Sequence, residues 1–198
     1  MNMRKFKTDE RLNKIIAAAS SRQPSLRVII ENIHDPHNVS AIFRTCDAVG
    51  VQNIGLLYNK ESFPKISRIS SASANKWIDT EKDTNVKEYI HKLKKDGFTI
   101  YASILNKDSL NLYDIDLTKK VALVFGNEHR GISEEMIKYA DETFYIPMHG
   151  MIQSLNVSVA AAVSLYEAQR QRVIKGLYPN NEMPKEELEI IIDKWCNK

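Results

Sequence analysis

The sequence predicts an α/β protein built on a mostly parallel sheet with flanking helices. Two observations carry this expectation. Strand-like and helix-like segments alternate along most of the chain, the pattern of βαβ units. In addition, VALVF (121–125) is an unbroken apolar run and LRVII (26–30) is interrupted only by Arg27, as found in parallel strands buried on both faces. No internal repeat or low-complexity tract competes with this reading. A chain of 198 residues is one generous domain, or one domain with terminal additions, and is long enough to bury a real core.

Residues 8–20 read as a short helix with Leu12, Ile15, Ile16 and Ala19 on one face, stopped before Pro24. LRVIIENI (26–33) follows as a buried strand. Residues 38–49 form a helix ended by Gly50, and NIGLLY (53–58) is the next strand. A small-residue helix is expected at 67–77, and another helix at 83–95 stops before Gly97. Strands are expected at 98–105 and 121–125, with a polar connection between them. Helix 133–140, strand 143–146 and helices 156–174 and 184–195 complete the order. The segment GLYPNNEMP (176–184) is a hinge. The last helix carries a stripe of Leu188, Ile191, Ile192 and Trp195 that must pack on its own body or on a partner chain.

Composition narrows the function classes. A hydrophobic fraction of 43% with 27% charged residues is ordinary for a soluble domain. The sequence has no run of about 18 apolar residues and no apolar leader at its start, so no spanning helix or secretory signal is expected. Cys46 and Cys196 suggest neither a disulfide framework nor a metal cluster, which fits a reducing cytoplasm. The net charge of +3 decides nothing, but its distribution is uneven. Arg4, Lys5, Lys7, Arg11, Lys14, Arg22 and Arg27 stand against Asp9 and Glu10 in the first 27 residues, and Arg170, Arg172 and Lys175 form a second cluster. Such clusters suit a nucleic-acid backbone, or simply line a solvated terminal helix.

Three separated stretches carry the chemistry. In the first, 31–51, Asn38 is of the right type to cap the following helix. Val39, Ile42, Phe43, Cys46 and Val49 share one face, which leaves Arg44 nearly opposite. The plain reading of Arg44 is a solvated arginine. Its small neighbours Ser40, Ala41, Thr45 and Ala48 leave room for another molecule instead. His34 and His37 are separated by Pro36 and lack further ligands, so no metal is expected.

In the second stretch, 121–133, a strand runs into Gly126, and Asn127, Glu128, His129 and Arg130 precede Gly131. Glycine at the carboxyl end of a parallel strand admits close approach of a ligand. Ile132 and Ser133 stand where a P-loop needs Lys and Ser/Thr, and the glycine spacing of a dinucleotide site is missing. Ser133 caps the next helix, whose positive end suits Glu134 and Glu135. Glu128 lies within the loop and is the better functional candidate. In the third stretch, 145–162, a loop with Pro147, Gly150, Gln153 and Ser154 leads to a helix opened by Asn156, where free backbone amides can hold a ligand.

Together these stretches resemble the motifs of the SpoU family, the ribose 2′-O-methyltransferases of the SPOUT superfamily. The likeness covers about residues 25–172: Asn38 and Arg44 six residues apart, a strand into Gly126-Asn127-Glu128, and Ile146-Pro147-Met148 leading to Ser154-Leu155-Asn156. The resemblance implies a C-terminal deep trefoil knot over about 121–175, S-adenosylmethionine as methyl donor, and a homodimer with the active site at the subunit interface. It divides the chain into a basic N-terminal helical extension (1–24), a methyltransferase domain (25–175) and a C-terminal helical extension (176–198).

By the same resemblance, Arg44 is catalytic, supported by Asn38, Glu128, Ser154 and Asn156. It acts either as a true base on the 2′-OH or as a stabiliser of the forming alkoxide while an RNA phosphate takes the proton. Gly126, Asn127, Ile146, Met148, Met151, Ser154 and Leu155 bind the cofactor. Arg4, Lys5, Lys7, Arg11, Lys14, Arg22, Arg170 and Arg172 are the expected RNA contacts. HDPHNVSAIFRTCDAVGV, GMIQSLNVSVA and LYEAQRQR are most similar to the branch that methylates guanosine-18 of tRNA, although the C-terminal extension is shorter than in many of its members. An rRNA target and a non-catalytic RNA binder are the alternatives.

Overall fold

The computed structural model describes residues 3–64, 74–179 and 183–198. Helix α1 (Asp9–Ser20) opens on Thr8, whose side chain accepts from the Arg11 amide, and buries Ile15 and Ala19. Strand β1 (Gln23–Glu31) starts ahead of the expected residue 26. Pro24 is accommodated because the register shifts between Gln23 and Arg27, an irregularity that spares a ladder hydrogen bond. Helix α2 (Pro36–Ala48) also starts early. Asp35 is its cap, accepting from the His37 amide at 2.8 Å, and Pro36 occupies the first turn. Asn38 therefore lies inside the helix, and its side chain is free for another task.

Strand β2 (Val51–Leu57) is followed by β3 (Asp79–Asp83), which the sequence reading did not anticipate. Its sequence DTEKD has no apolar alternation because it lies at the sheet edge, where charge is tolerated. The expected helix at 67–77 falls mostly outside the described residues, and Ala74–Lys76 form a single 3-10 turn. Next come α3 (Val86–Lys95), β4 (Thr99–Ser103), the two-residue β5 (Leu110–Asn111) and β6 (Val121–Phe125). The order ends with α4 (Glu134–Tyr139), β7 (Glu142–Tyr145), α5 (Val157–Ile174) and α6 (Lys185–Cys196).

The strands form one parallel sheet of 7 strands in the order β3-β2-β1-β6-β4-β7-β5. Successive side chains of β1 point to opposite faces. Val28 and Ile30 join Leu123 and Phe125 beneath α2 and α5, whereas Ile29 joins Ala122 and Val124 beneath α3 and α4. A third apolar cluster unites Ile15 and Ala19 of α1 with Ile191, Ile192 and Trp195 of α6. The α6 stripe thus packs on its own body. Among the described residues, no helix is long and apolar enough to cross a membrane.

The end of α5 is tied back to the segment before β6. Gln171 receives the Leu117 amide and donates to the Ile115 carbonyl, while Arg172 donates to the carbonyls of Leu117 and Lys119. The segments that enter and leave the last third of the sheet are therefore held against each other.

Candidate functional site

A cavity of about 550 Å³ opens at the carboxyl ends of β4, β6 and β7. Three chain segments wall it: Ser103–Leu105 after β4, Phe125–Gly131 after β6, and Tyr145, Ile146 and Met148 with Gln153–Val157 after β7. The N-terminal turn of α5 closes one side, bringing Asn156, Val157 and Ala160 to the wall. Ligands of open parallel sheets bind outside these strand ends, because loops there converge and helix N-termini offer free amides.

The three motifs meet through side chains. Glu128 accepts from the backbone amides of His34 and Asp35 at 2.9 and 3.1 Å and from the Asn38 side chain at 2.9 Å. The other end of the Asn38 amide accepts from Asn156 Nδ2 at 3.1 Å. Asn156 Oδ1 in turn caps α5, accepting from the Ser158 amide at 2.8 Å. A continuous path thus runs from the β6 loop through α2 to the start of α5. Burial pushes the Glu128 carboxyl upward, but hydrogen bonds from Asn38 and from the amides of His34, Glu128 and Asp35 outweigh it. The pKa consequently lies below its ordinary value, and the carboxylate is anionic at neutral pH.

Asn127, 5% exposed, braces the loop from inside. Its Nδ2 donates to the Asn32 carbonyl at 2.7 Å, and its Oδ1 accepts from the amides of His129 and Arg130. Gly126 lies on the cavity wall, yet the need for glycine comes from the loop itself. A Cβ there would stand 2.5 Å from the Gly131 carbonyl and 2.6 Å from the Ile132 nitrogen. Backbone packing alone thus requires glycine here, and its place on the wall is where close approach of a ligand is expected.

Ile146, Met148, Ser154 and Leu155 also line the cavity, but Met151 does not. It is 99% exposed, because the loop turns outward between Met148 and Gln153 before returning to the wall. Arg44 is exposed on α2, a helix that contributes nothing to the cavity wall. Among the described residues, no hydrogen bond or ion pair engages it. Six helical residues separate it from Asn38, an advance of ~9 Å along the axis.

Two expected RNA contacts are corrected. Arg22 is 2% exposed; it donates to the Val51 carbonyl at 2.9 Å, pairs with Asp47, and stacks over Trp195. Arg172 is fully buried and bonds Gln23, Ser25 and the Leu117 and Lys119 carbonyls. Both satisfy backbone carbonyls inside the protein and cannot meet a phosphate from there. Arg4 is clamped to Glu189 and Asp193 of α6, and Arg170 is paired with Glu167. Lys5, Arg11 and Lys14 are exposed, and Lys7 is half-buried.

Sequence reasoning missed Asn32 and Glu61. Asn32 has φ 50°, and its Oδ1 accepts from the amides of Asn59, Lys60 and Glu61. Glu61 then pairs with Arg130 and His34 across the site rim. Asparagine at a strand end was the one available signal, since its short side chain tolerates the left-handed region.

Fold and site together define the class: a parallel-sheet α/β protein whose ligand crevice, of a size that suits a nucleoside cofactor, is closed by a helix N-terminus and braced by a polar relay. The chain belongs to the SpoU rRNA methylase family, whose sequence profile matches residues 25–166. It is 43% identical to the tRNA (guanosine(18)-2'-O)-methyltransferase of Thermus thermophilus over 97% of this chain and 98% of that protein. The enzyme of the same name from Aquifex aeolicus is 42% identical over 95% of this chain and 89% of that one. The crystal structure of the A. aeolicus TrmH/SpoU tRNA modifying enzyme superposes with a TM-score of 0.89 at 41% identity, covering 96% of both chains. The SpoU methyltransferase AviRb from Streptomyces viridochromogenes, solved with AdoMet, gives a TM-score of 0.69 at 26% identity, covering 77% of this chain and 62% of that one.

Proposed function

We propose that this protein transfers a methyl group from S-adenosylmethionine to the ribose 2′-OH of guanosine-18 in tRNA, in the cytoplasm. The observation that carries the reading is the Asn156–Asn38–Glu128 relay beside the cavity, which unites the three family motifs at one place. The relatives named for guanosine-18 methylation match nearly the whole chain, which favours that target over others in the family.

The cavity suits the cofactor. Phe125, Ile146 and Leu155 offer apolar surface for an adenine, and backbone groups of the 126–131 and 153–156 loops offer donors and acceptors. When bound, S-adenosylmethionine supplies an activated methyl on a sulfonium. The chain's own residues must then place the 2′-oxygen in line and help its proton leave. Asn38, Glu128 and Asn156 lock the loops that form the cavity. Ser154 is exposed on the cavity wall, where its hydroxyl can reach a bound ligand.

Arg44 supplies the charge stabilisation of the transfer. Its five N–H donors are unengaged, so it is suited to bind an RNA phosphate and stabilise the forming alkoxide while that phosphate takes the proton. Because α2 supplies nothing to the cavity wall, this role fits a homodimer in which a second copy completes the site. The exposed Val159 and Tyr166 on α5 offer apolar surface for that contact. The knot over 121–175 belongs to the same reading, supported by the bonds that hold the end of α5 to residues 115–119.

The test is calorimetry with S-adenosylmethionine, followed by labelled-methyl transfer to unmodified tRNA and mapping of the methylated position. Binding of the cofactor and label at guanosine-18 are expected. Label on rRNA alone would redirect the substrate, and absent cofactor binding would leave a non-catalytic RNA binder. Sedimentation of the protein tests the dimer.

A further inference from the structure

The turn Met3–Phe6 inverts the usual placement of its apolar residues. Met3 packs against the α1–α6 cluster, whereas the larger Phe6 is left 59% exposed. The turn is nevertheless held firmly. Arg4 donates to Asp193 at 2.6 Å and to the Glu189 carbonyl at 3.1 Å, and its guanidinium also meets the Glu189 carboxylate at 2.6 Å. The Lys7 amide closes the turn on the Arg4 carbonyl at 3.0 Å. Side-chain hydrogen bonding to Glu189 raises the Arg4 pKa, so the clamp keeps its charge.

A cation lies beside the ring. Lys5 Nζ lies 5.2 Å from its centroid, and Lys7 follows directly. Beyond the turn, Arg11 and Lys14 lie three residues apart on α1 and so share one face of that helix. An aromatic ring with cations beside it matches what an unpaired nucleotide needs. The base stacks on the ring, and its phosphates meet the lysines.

We infer that Phe6 is a stacking platform for an unpaired base of the tRNA, presented by the Arg4 clamp and flanked by Lys5 and Lys7. This rests on the tRNA-methylating reading above and assigns the N-terminal turn a direct contact with the substrate. Arg4, expected from the sequence to touch RNA, acts instead by holding the turn in place.

The experiment measures binding of an unmodified tRNA transcript to the full-length protein and to Phe6→Ala, Phe6→Leu and Phe6→Trp. Loss of one stacked base weakens binding about tenfold. Phe6→Ala and Phe6→Leu should both show that loss with S-adenosylmethionine affinity unchanged, while Phe6→Trp retains native affinity. The double variant Lys5→Ala/Lys7→Ala should flatten the salt dependence by about one to two units of log-log slope, which Phe6→Ala leaves alone. Native affinity in Phe6→Ala, full rescue by Phe6→Leu, or dissociation of an oligomer by Phe6→Ala would each overturn the platform. Binding without methyl transfer by the native protein would overturn the enzymatic reading alone; absence of tRNA binding would overturn both.

Discussion

The side-chain amide of Asn38 donates to Glu128 at 2.9 Å and accepts from Asn156 at 3.1 Å. One residue thereby joins the loop after β6 to the first turn of α5. Asparagine suits this position because a single planar group is donor on one side and acceptor on the other. Aspartate there would set a second carboxylate against Glu128, and leucine would remove both bonds of the relay.

Glu128 makes stability depend on pH. Its folded pKa lies below the ordinary value of 4.5, so the unfolded chain binds more protons in the window between the two values. Its contribution is complete above about pH 4.5 and disappears as pH falls through the folded pKa. Glu128→Gln should cost about 2 kcal/mol at pH 7, since charge-assisted bonds to two amides and Asn38 are weakened. Denaturant titrations of both proteins from pH 7 to pH 3 should show the gap closing. A gap independent of pH would remove the carboxylate from this account.

Gly126→Ala tests the backbone contact in the β6 loop. The new methyl would meet the Gly131 carbonyl and the Ile132 nitrogen at 2.5–2.6 Å, and neither can rotate away. Overpacking of this kind costs about 1–3 kcal/mol. Thermal unfolding should report that loss, and calorimetry should show weakened S-adenosylmethionine binding because the displaced loop is a cavity wall.

Arg172→Lys separates a structural arginine from an RNA contact. A lysine cannot reproduce the fork that reaches Ser25, Leu117 and Lys119 together. We expect about 2–4 kcal/mol of destabilisation in denaturant. At a temperature where both proteins are folded, the salt dependence of tRNA binding should not change. A reduced slope would return Arg172 to the phosphate-binding set.

Arg44→Ala should nearly abolish single-turnover methyl transfer while S-adenosylmethionine still binds, because α2 contributes nothing to the cavity wall. Arg44→Lys discriminates further. Substantial retained transfer would assign a role to positive charge, and its loss would require the guanidinium fork. Unimpaired transfer by the alanine variant would exclude Arg44 from the chemistry.

Much of the architecture was legible because periodicity reports burial. The runs 26–30 and 121–125 read as buried strands and became β1 and β6, the neighbours at the centre of the sheet. β3 and β5 escaped notice for opposite reasons: the first is polar at an edge, and the second has two residues. Asn38 looked like a helix cap because its chemistry fits one. Asp35 with Pro36 fills that role, and the relay that uses Asn38 depends on residues 90 and 118 positions away.

Residue order and type alone specified the alternating fold, the three motifs and their family, because hydrophobic period and short polar phrases are local properties. Tertiary structure decided which polar residues face ligand and which are interior. Arg22 and Arg172 count as surface cations in any sequence tally, yet their buried guanidinia satisfy the Val51 carbonyl at the start of β2 and the Leu117 and Lys119 carbonyls before β6. Arg44 was set apart by its place opposite the apolar face of α2, and the structure leaves it exposed. It stands in solvent because it projects from the face of α2 opposite the buried Ile42 and Phe43.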